Sequence, residues 1–171
     1  MKKQLIGLFL GAALVFSATT VQAQILEVFG EYPFTYKFDE GSSESASGYV
    51  LGVRSFAIPA GLGMESYRVK TTSGHMDVQM YNLFYASAFP LIQIALGIGV
   101  GKGSFDDTTG ASYDNPALIQ YYFNLGYPIM PLFGVFLGMH LVDGSAGSKV
   151  TGVPDLNVSG RMTSLGLRFG F

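Results

Sequence analysis

The chain of 171 residues contains no cysteine. That excludes a disulfide framework, a cysteine nucleophile and the acylated cysteine of a lipoprotein. Tryptophan is absent too, so any aromatic girdle at a membrane surface falls to tyrosine: Tyr32, Tyr36, Tyr49, Tyr121 and Tyr127. Charge is scarce, with 10 basic and 12 acidic residues and no basic cluster, which gives nucleic acid nothing to bind. Beyond the first 16 positions there is no long apolar run, so no helix is predicted to span a membrane. Yet 49% of the residues are hydrophobic and 14% aromatic, beside 23 glycines. Apolar content this high, dispersed by alternation, fits one remaining solution, a closed sheet in lipid. Only helices and closed barrels satisfy every backbone polar group inside a bilayer.

The front end is built for export. Met1-Lys2-Lys3 is a short basic segment, Leu5 to Phe16 is apolar, and Val21-Gln22-Ala23 places small residues at a cleavage site. The apolar run falls short of the roughly 18 residues of a membrane helix. Residues 1–23 are therefore expected to be a cleaved signal peptide. The remaining 148 residues, 24–171, are expected to form one domain with a mildly acidic balance.

That domain reads as strands with a period of two. The last eleven residues are the clearest. Thr163, Leu165, Leu167, Phe169 and Phe171 lie on one face, and Met162, Ser164, Gly166, Arg168 and Gly170 on the other. Over Gln24 to Phe38, Leu26, Val28, Tyr32, Phe34 and Tyr36 oppose Glu27, Glu31, Thr35 and Lys37, with the carboxylates turned inward. Strand two, Gly48 to Ile58, puts Tyr49, Leu51 and Val53 outward and Arg54 inward. Strand three, Leu62 to Thr72, admits two polarities. With Tyr67 and Val69 outward, Arg68 and Lys70 face the interior, but Glu65 faces lipid. Strand four turns Tyr81, Leu83 and Tyr85 outward and Asn82 inward. In strand five Ile92 to Val100 alternate with Gln93, Ala95, Gly97, Gly99 and Gly101. This suits a narrow barrel whose interior holds larger side chains from elsewhere. Strand six carries Gln120, Tyr122 and Asn124 inward, and strand seven Gly134, Phe136, Gly138 and His140. Long polar stretches (39–47, 103–116 and 143–157) alternate with short turns at 59–61 and 128–131. The prediction is an all-β, eight-stranded antiparallel up-and-down transmembrane β-barrel.

The terminal Leu165-x-Leu167-x-Phe169-x-Phe171 resembles the closing strand of bacterial outer-membrane barrels. At the level of architecture the mature chain resembles the small eight-stranded family of the OmpA-barrel, OmpX and opacity-protein type, a porin-like family. The resemblance implies a monomer in the outer membrane of a Gram-negative cell, and it makes those four residues the insertion signal read by the barrel-assembly machinery. The implied partners are outer-membrane lipid and lipopolysaccharide, with Lys149 and Arg161 placed to meet lipid A phosphates. Membrane integrity or surface interaction through the outer loops is the function implied; a small passive pore is the alternative, and a lipid A-modifying enzyme a third reading. The deacylase type of that third class uses histidine and serine two residues apart, and neither His75 nor His140 has serine at that spacing.

No catalytic, cofactor-binding or metal site is read from the sequence. Gly97-x-Gly99-x-Gly101 lacks the helix start and following lysine of a phosphate loop. The interior is the one place where charges collect. Glu27, Glu31, Arg54 and Arg168 are expected to form a lumenal ion-pair network, because buried charges need partners.

Overall fold

The computed structural model describes residues 26–171 apart from 42, 56–57, 73, 89–91, 108–112, 131, 151 and 153. The expected signal peptide lies outside the described residues. Seven long strands come first: β1 (Leu26–Phe38), β2 (Ser43–Ser55), β3 (Ala60–Thr71), β4 (Gly74–Ala88), β5 (Gln93–Asp107), β6 (Ala117–Met130) and β7 (Phe133–Asp143). A small ribbon of β8 (Ser145–Ala146) and β9 (Leu156–Asn157) follows, and β10 (Gly160–Gly170) ends the chain. Each long strand pairs antiparallel with its sequence neighbour, and β10 pairs with both β7 and β1, so the eight close into a barrel. Closure gives each of these eight strands a neighbour on both sides. At the seam Phe171 donates its N–H to the Leu26 carbonyl at 2.8 Å.

The strands run longer than their apolar alternation. β2 starts at Ser43 and β5 continues to Asp107, inside stretches that read as loops from their polar composition. The wall therefore extends past its apolar band, and there the outward residues are Ser45, Ser47 and Lys102.

Facing follows the alternation in β2, β4, β5, β6, β7 and β10. Leu96, Val100, Ile119, Tyr121, Leu137 and Leu165 are all exposed on the outer wall. β1 departs from expectation, and in β3 one of the two open polarities is selected. In β1 the ladder slips between Pro33 and Thr35, a bulge at Phe34. One extra residue inverts the facing of everything after it. Tyr36, expected in the girdle, is fully buried, while Thr35 and Lys37, expected inside, turn outward. In β3 the polarity is the one that takes Glu65 inward. Tyr67 and Val69 are buried, and Arg68 and Lys70 are exposed. The charge decides it: Arg68 and Lys70 stand beyond the apolar band, where Arg68 meets Asp77 at 2.6 Å, whereas Glu65 on the outer face would lie within it.

Glycine and aromatic side chains divide the interior between them. Phe29, Phe84, Tyr122 and Phe136 each lie over a glycine directly across the ladder: Gly52, Gly61, Gly97 and Gly166. A Cβ on Gly166 would fall 2.2 Å from Phe136 Cζ, and one on Gly97 2.2 Å from Tyr122. Gly166→Ala is expected to lower unfolding stability by about 1–3 kcal/mol through overpacking. Gly30→Ala, where the new carbon meets Leu51 at an ordinary 3.5 Å, is the control expected to change little. Urea titration of both refolded variants measures the difference.

Candidate functional site: the barrel interior

The lumen is filled in four layers, starting at the end that carries the termini. Glu27 organises the first. Arg54 sits directly opposite it on β2 and donates from Nε to Oε1 at 2.8 Å and from its terminal nitrogen to Oε2 at 3.2 Å. Arg168 donates from the other side to Oε2 at 2.8 Å, and Gln93 approaches at 3.2 Å. Arg54 also reaches the Ala86 carbonyl at 2.8 Å. Two guanidinium groups on one carboxylate make short charge-assisted bonds, the strong kind. Arg168 keeps slight exposure, and Arg54 holds Glu27 without it. Arg168→Ala is accordingly expected to cost about 2 kcal/mol, seen as a lower urea midpoint with an unchanged slope.

Phe29, Phe84 and Phe136 form the second layer. Phe29 meets the other two edge to face, with centroids 5.2 Å and 5.6 Å apart. A cavity of about 30 Å³ lies beside these rings, bordered by Glu27, Asn124 and Arg168, with room for one water.

His140 is the centre of the third layer, completely buried between two completely buried carboxylates. Its Nε2 lies 3.2 Å from Glu31 and its Nδ1 3.0 Å from Glu65, the second contact close but poorly aligned for a hydrogen bond. Amide and hydroxyl donors complete the shells. Asn124 donates to Glu31 at 2.8 Å, and Ser164 bonds the same carboxylate. Asn82 and Gln120 donate to Glu65 Oε1 at 2.6 Å and 2.5 Å. Tyr122 stacks on the imidazole with 4.9 Å between centroids. Gly138 lies between Asn124 and Ser164 in the ladder, and Gly99 between Asn82 and Gln120. Their missing side chains are the space in which these polar groups lean toward the carboxylates. An imidazolium, donor at both nitrogens, is the form suited to two flanking carboxylates. With it Glu27, Glu31 and Glu65 are balanced by Arg54, Arg168 and the imidazolium.

The fourth layer is apolar. Tyr36, Val50, Val69, Met76, Met80, Leu118 and Met162, among others, fill the far half of the barrel and are almost wholly buried. The Tyr36 hydroxyl donates to the Val158 carbonyl at 2.8 Å. The inverted stretch of β1 thus supplies a large ring to this plug.

The four charges expected to form one network are split between two layers. Glu27, Arg54 and Arg168 meet; Glu31 stands apart, bound to His140, Asn124 and Ser164 rather than to Arg54. The cause is register: Arg54 pairs across from Glu27, while Glu31 faces Val50. Sequence reasoning missed the central role of His140 and Glu65. The available signal was Glu65 itself, since a carboxylate on the outer face of strand three would be unpaired in lipid. Leu165, Leu167, Phe169 and Phe171 all stand exposed on the outer wall. His75 lies at the far rim, 3.7 Å from Asp77, and Lys149 of the last connection meets Asp114 of the β5–β6 connection at 3.4 Å.

Chemistry at the third layer is structural in character. Ser164, Glu31 and His140 share contacts, but the hydroxyl donates to the carboxylate instead of the imidazole, so it is not activated as a nucleophile. All three are sealed from solvent.

This interior within an eight-stranded wall can be set beside solved structures. Neisserial surface protein A (NspA) matches with a TM-score of 0.60 at 14% identity, over 85% of this chain and 96% of that one. The outer membrane protein OprG from Pseudomonas aeruginosa matches with a TM-score of 0.53 at 14% identity, over 87% and 96%. This chain has their fold. It is a closed eight-stranded antiparallel barrel. No protein-family model and no curated protein sequence matches it.

Proposed function

We propose that the chain is a non-enzymatic, integral outer-membrane barrel, exported by residues 1–23, whose interior is structural and whose outer end carries its interactions. The observation that carries this reading is the inversion of burial: apolar side chains crowd the outer wall, while carboxylates, guanidinium groups and amides are buried in the half of the interior nearest the termini. In water such a wall would be a large adhesive surface. In a bilayer it is the lipid contact. The barrel-assembly machinery is the partner proposed for the terminal strand, and lipid with lipopolysaccharide the partner for the wall. The termini lie at the periplasmic end, so the far rim and the β8–β9 ribbon are extracellular. Surface interaction or adhesion then rests on those extracellular segments.

Refolding into lipid vesicles tests the reading. A heat-modifiable gel band and protection of the wall from added protease are expected. A chain that stays in the aqueous phase contradicts it. Replacing residues 147–155 by a Gly-Ser linker is expected to leave the folded band intact and to remove surface interaction.

A further inference from the structure

The bulge in β1 has a second effect, on the outer wall. It turns Lys37 outward to a position directly across the ladder from Arg161 of β10. Both side chains are exposed, and neither has an acidic partner among the described residues. Like charges directly opposite each other on a sheet repel and are normally avoided. Two residues on adjacent strands therefore hold positive charge together at the outer edge of the apolar band, and a bulge is what places one of them there.

Below this pair, on the same seam, the wall is concave. A groove of about 1020 Å³ runs over β10, β1, β2 and β3, bordered by Tyr32, Leu51, Val53, Leu165, Leu167 and Phe169. At its middle is Gly30, an outward position with no side chain. The groove starts five residues below Lys37, roughly 15 Å along the strand. Phe34 and Thr163 lie between. A cationic head site above an apolar trough has the proportions of an amphiphile, with an anionic head and an aliphatic tail.

We propose that the β1–β10 seam is a binding site for a single lipid whose headgroup carries phosphate, held by Lys37 and Arg161, with an acyl chain laid in the groove over Gly30. Lys149, expected from sequence to share this task, is engaged by Asp114, and Lys37 takes its place. The proposal rests on the reading of the barrel as an outer-membrane protein. It fixes where on the wall the phosphate sits and why β1 is bulged.

The test is native mass spectrometry of the refolded 24–171 chain in detergent, titrated with lipid A and with its fully dephosphorylated form. The wild type is expected to retain lipid A in preference to the dephosphorylated form. Lys37→Gln with Arg161→Gln is expected to weaken lipid A about tenfold or more and to leave the dephosphorylated form unchanged. Each single substitution gives an intermediate loss and serves if the double variant folds poorly. Gly30→Leu, which fills the trough, is expected to weaken both forms. Equal retention of lipid A by the wild type and the double variant overturns the proposal. So does displacement of bound lipid A by millimolar inorganic phosphate, which would identify a site for free anions. Failure to insert into vesicles removes the membrane reading; a folded, inserted barrel indifferent to phosphate removes this site alone.

Discussion

His140→Ala is expected to destabilise the barrel by about 3–5 kcal/mol. Among the described residues the His140 imidazolium is the cationic group between Glu31 and Glu65, and all three side chains are fully buried. Removing it leaves two buried carboxylates with only neutral donors from Asn82, Gln120, Asn124 and Ser164. Tyr122 also loses the ring on which it stacks. The effect is electrostatic before it is steric, and a combined variant separates the two. Adding Glu31→Gln and Glu65→Gln to His140→Ala is expected to restore most of the loss, because the carboxylates no longer need a counter-charge. Urea titration of the three proteins in vesicles measures this. A loss that persists in the combined variant would mean that the ring acts through packing alone.

Leu96→Arg is expected to cost about 2–4 kcal/mol in a bilayer. Leu96 lies midway along the outward ladder of β5, with Tyr85 and Phe123 as its cross-strand neighbours. A guanidinium there has no partner within the wall and must drag water or headgroups toward it. Ser45→Arg, on the outer face of β2 beyond the apolar band, is expected to stay within about 0.5 kcal/mol of wild type. The contrast matters more than either value. Equal effects at the two positions would mean that the wall does not lie in lipid.

Most of the barrel was legible in the sequence because the outer wall obeys a simple constraint. Within the apolar band every second residue of β5, β6, β7 and β10 must be apolar, and that period survives whatever the interior does. The interior was legible only where a strand keeps its phase. Arg54, Asn82, Gln120 and Asn124 lie where alternation puts them. Tyr36 and Lys37 do not, because a bulge of one residue at Phe34 leaves no mark in composition beyond the nearby Pro33. β3 was ambiguous for a different reason. Tyr67 and Val69 are apolar residues facing the lumen, in the outer half, where the plug is itself apolar. Hydrophobicity reports facing only where inside and outside differ. The partners of Glu31 were out of reach for a further reason: they depend on the stagger of the whole sheet, which brings β6, β7 and β10 to the same height as β1.

If the lumen is a sealed structural plug, the refolded 24–171 chain, once heat-modifiable, carries no current in a planar bilayer. The packing of Tyr36, Met76, Met80, Leu118 and Met162 above the His140 layer predicts a silent bilayer. Discrete, reproducible current steps that change when Glu31 or Arg54 is neutralised would contradict it, and would make the barrel a pore.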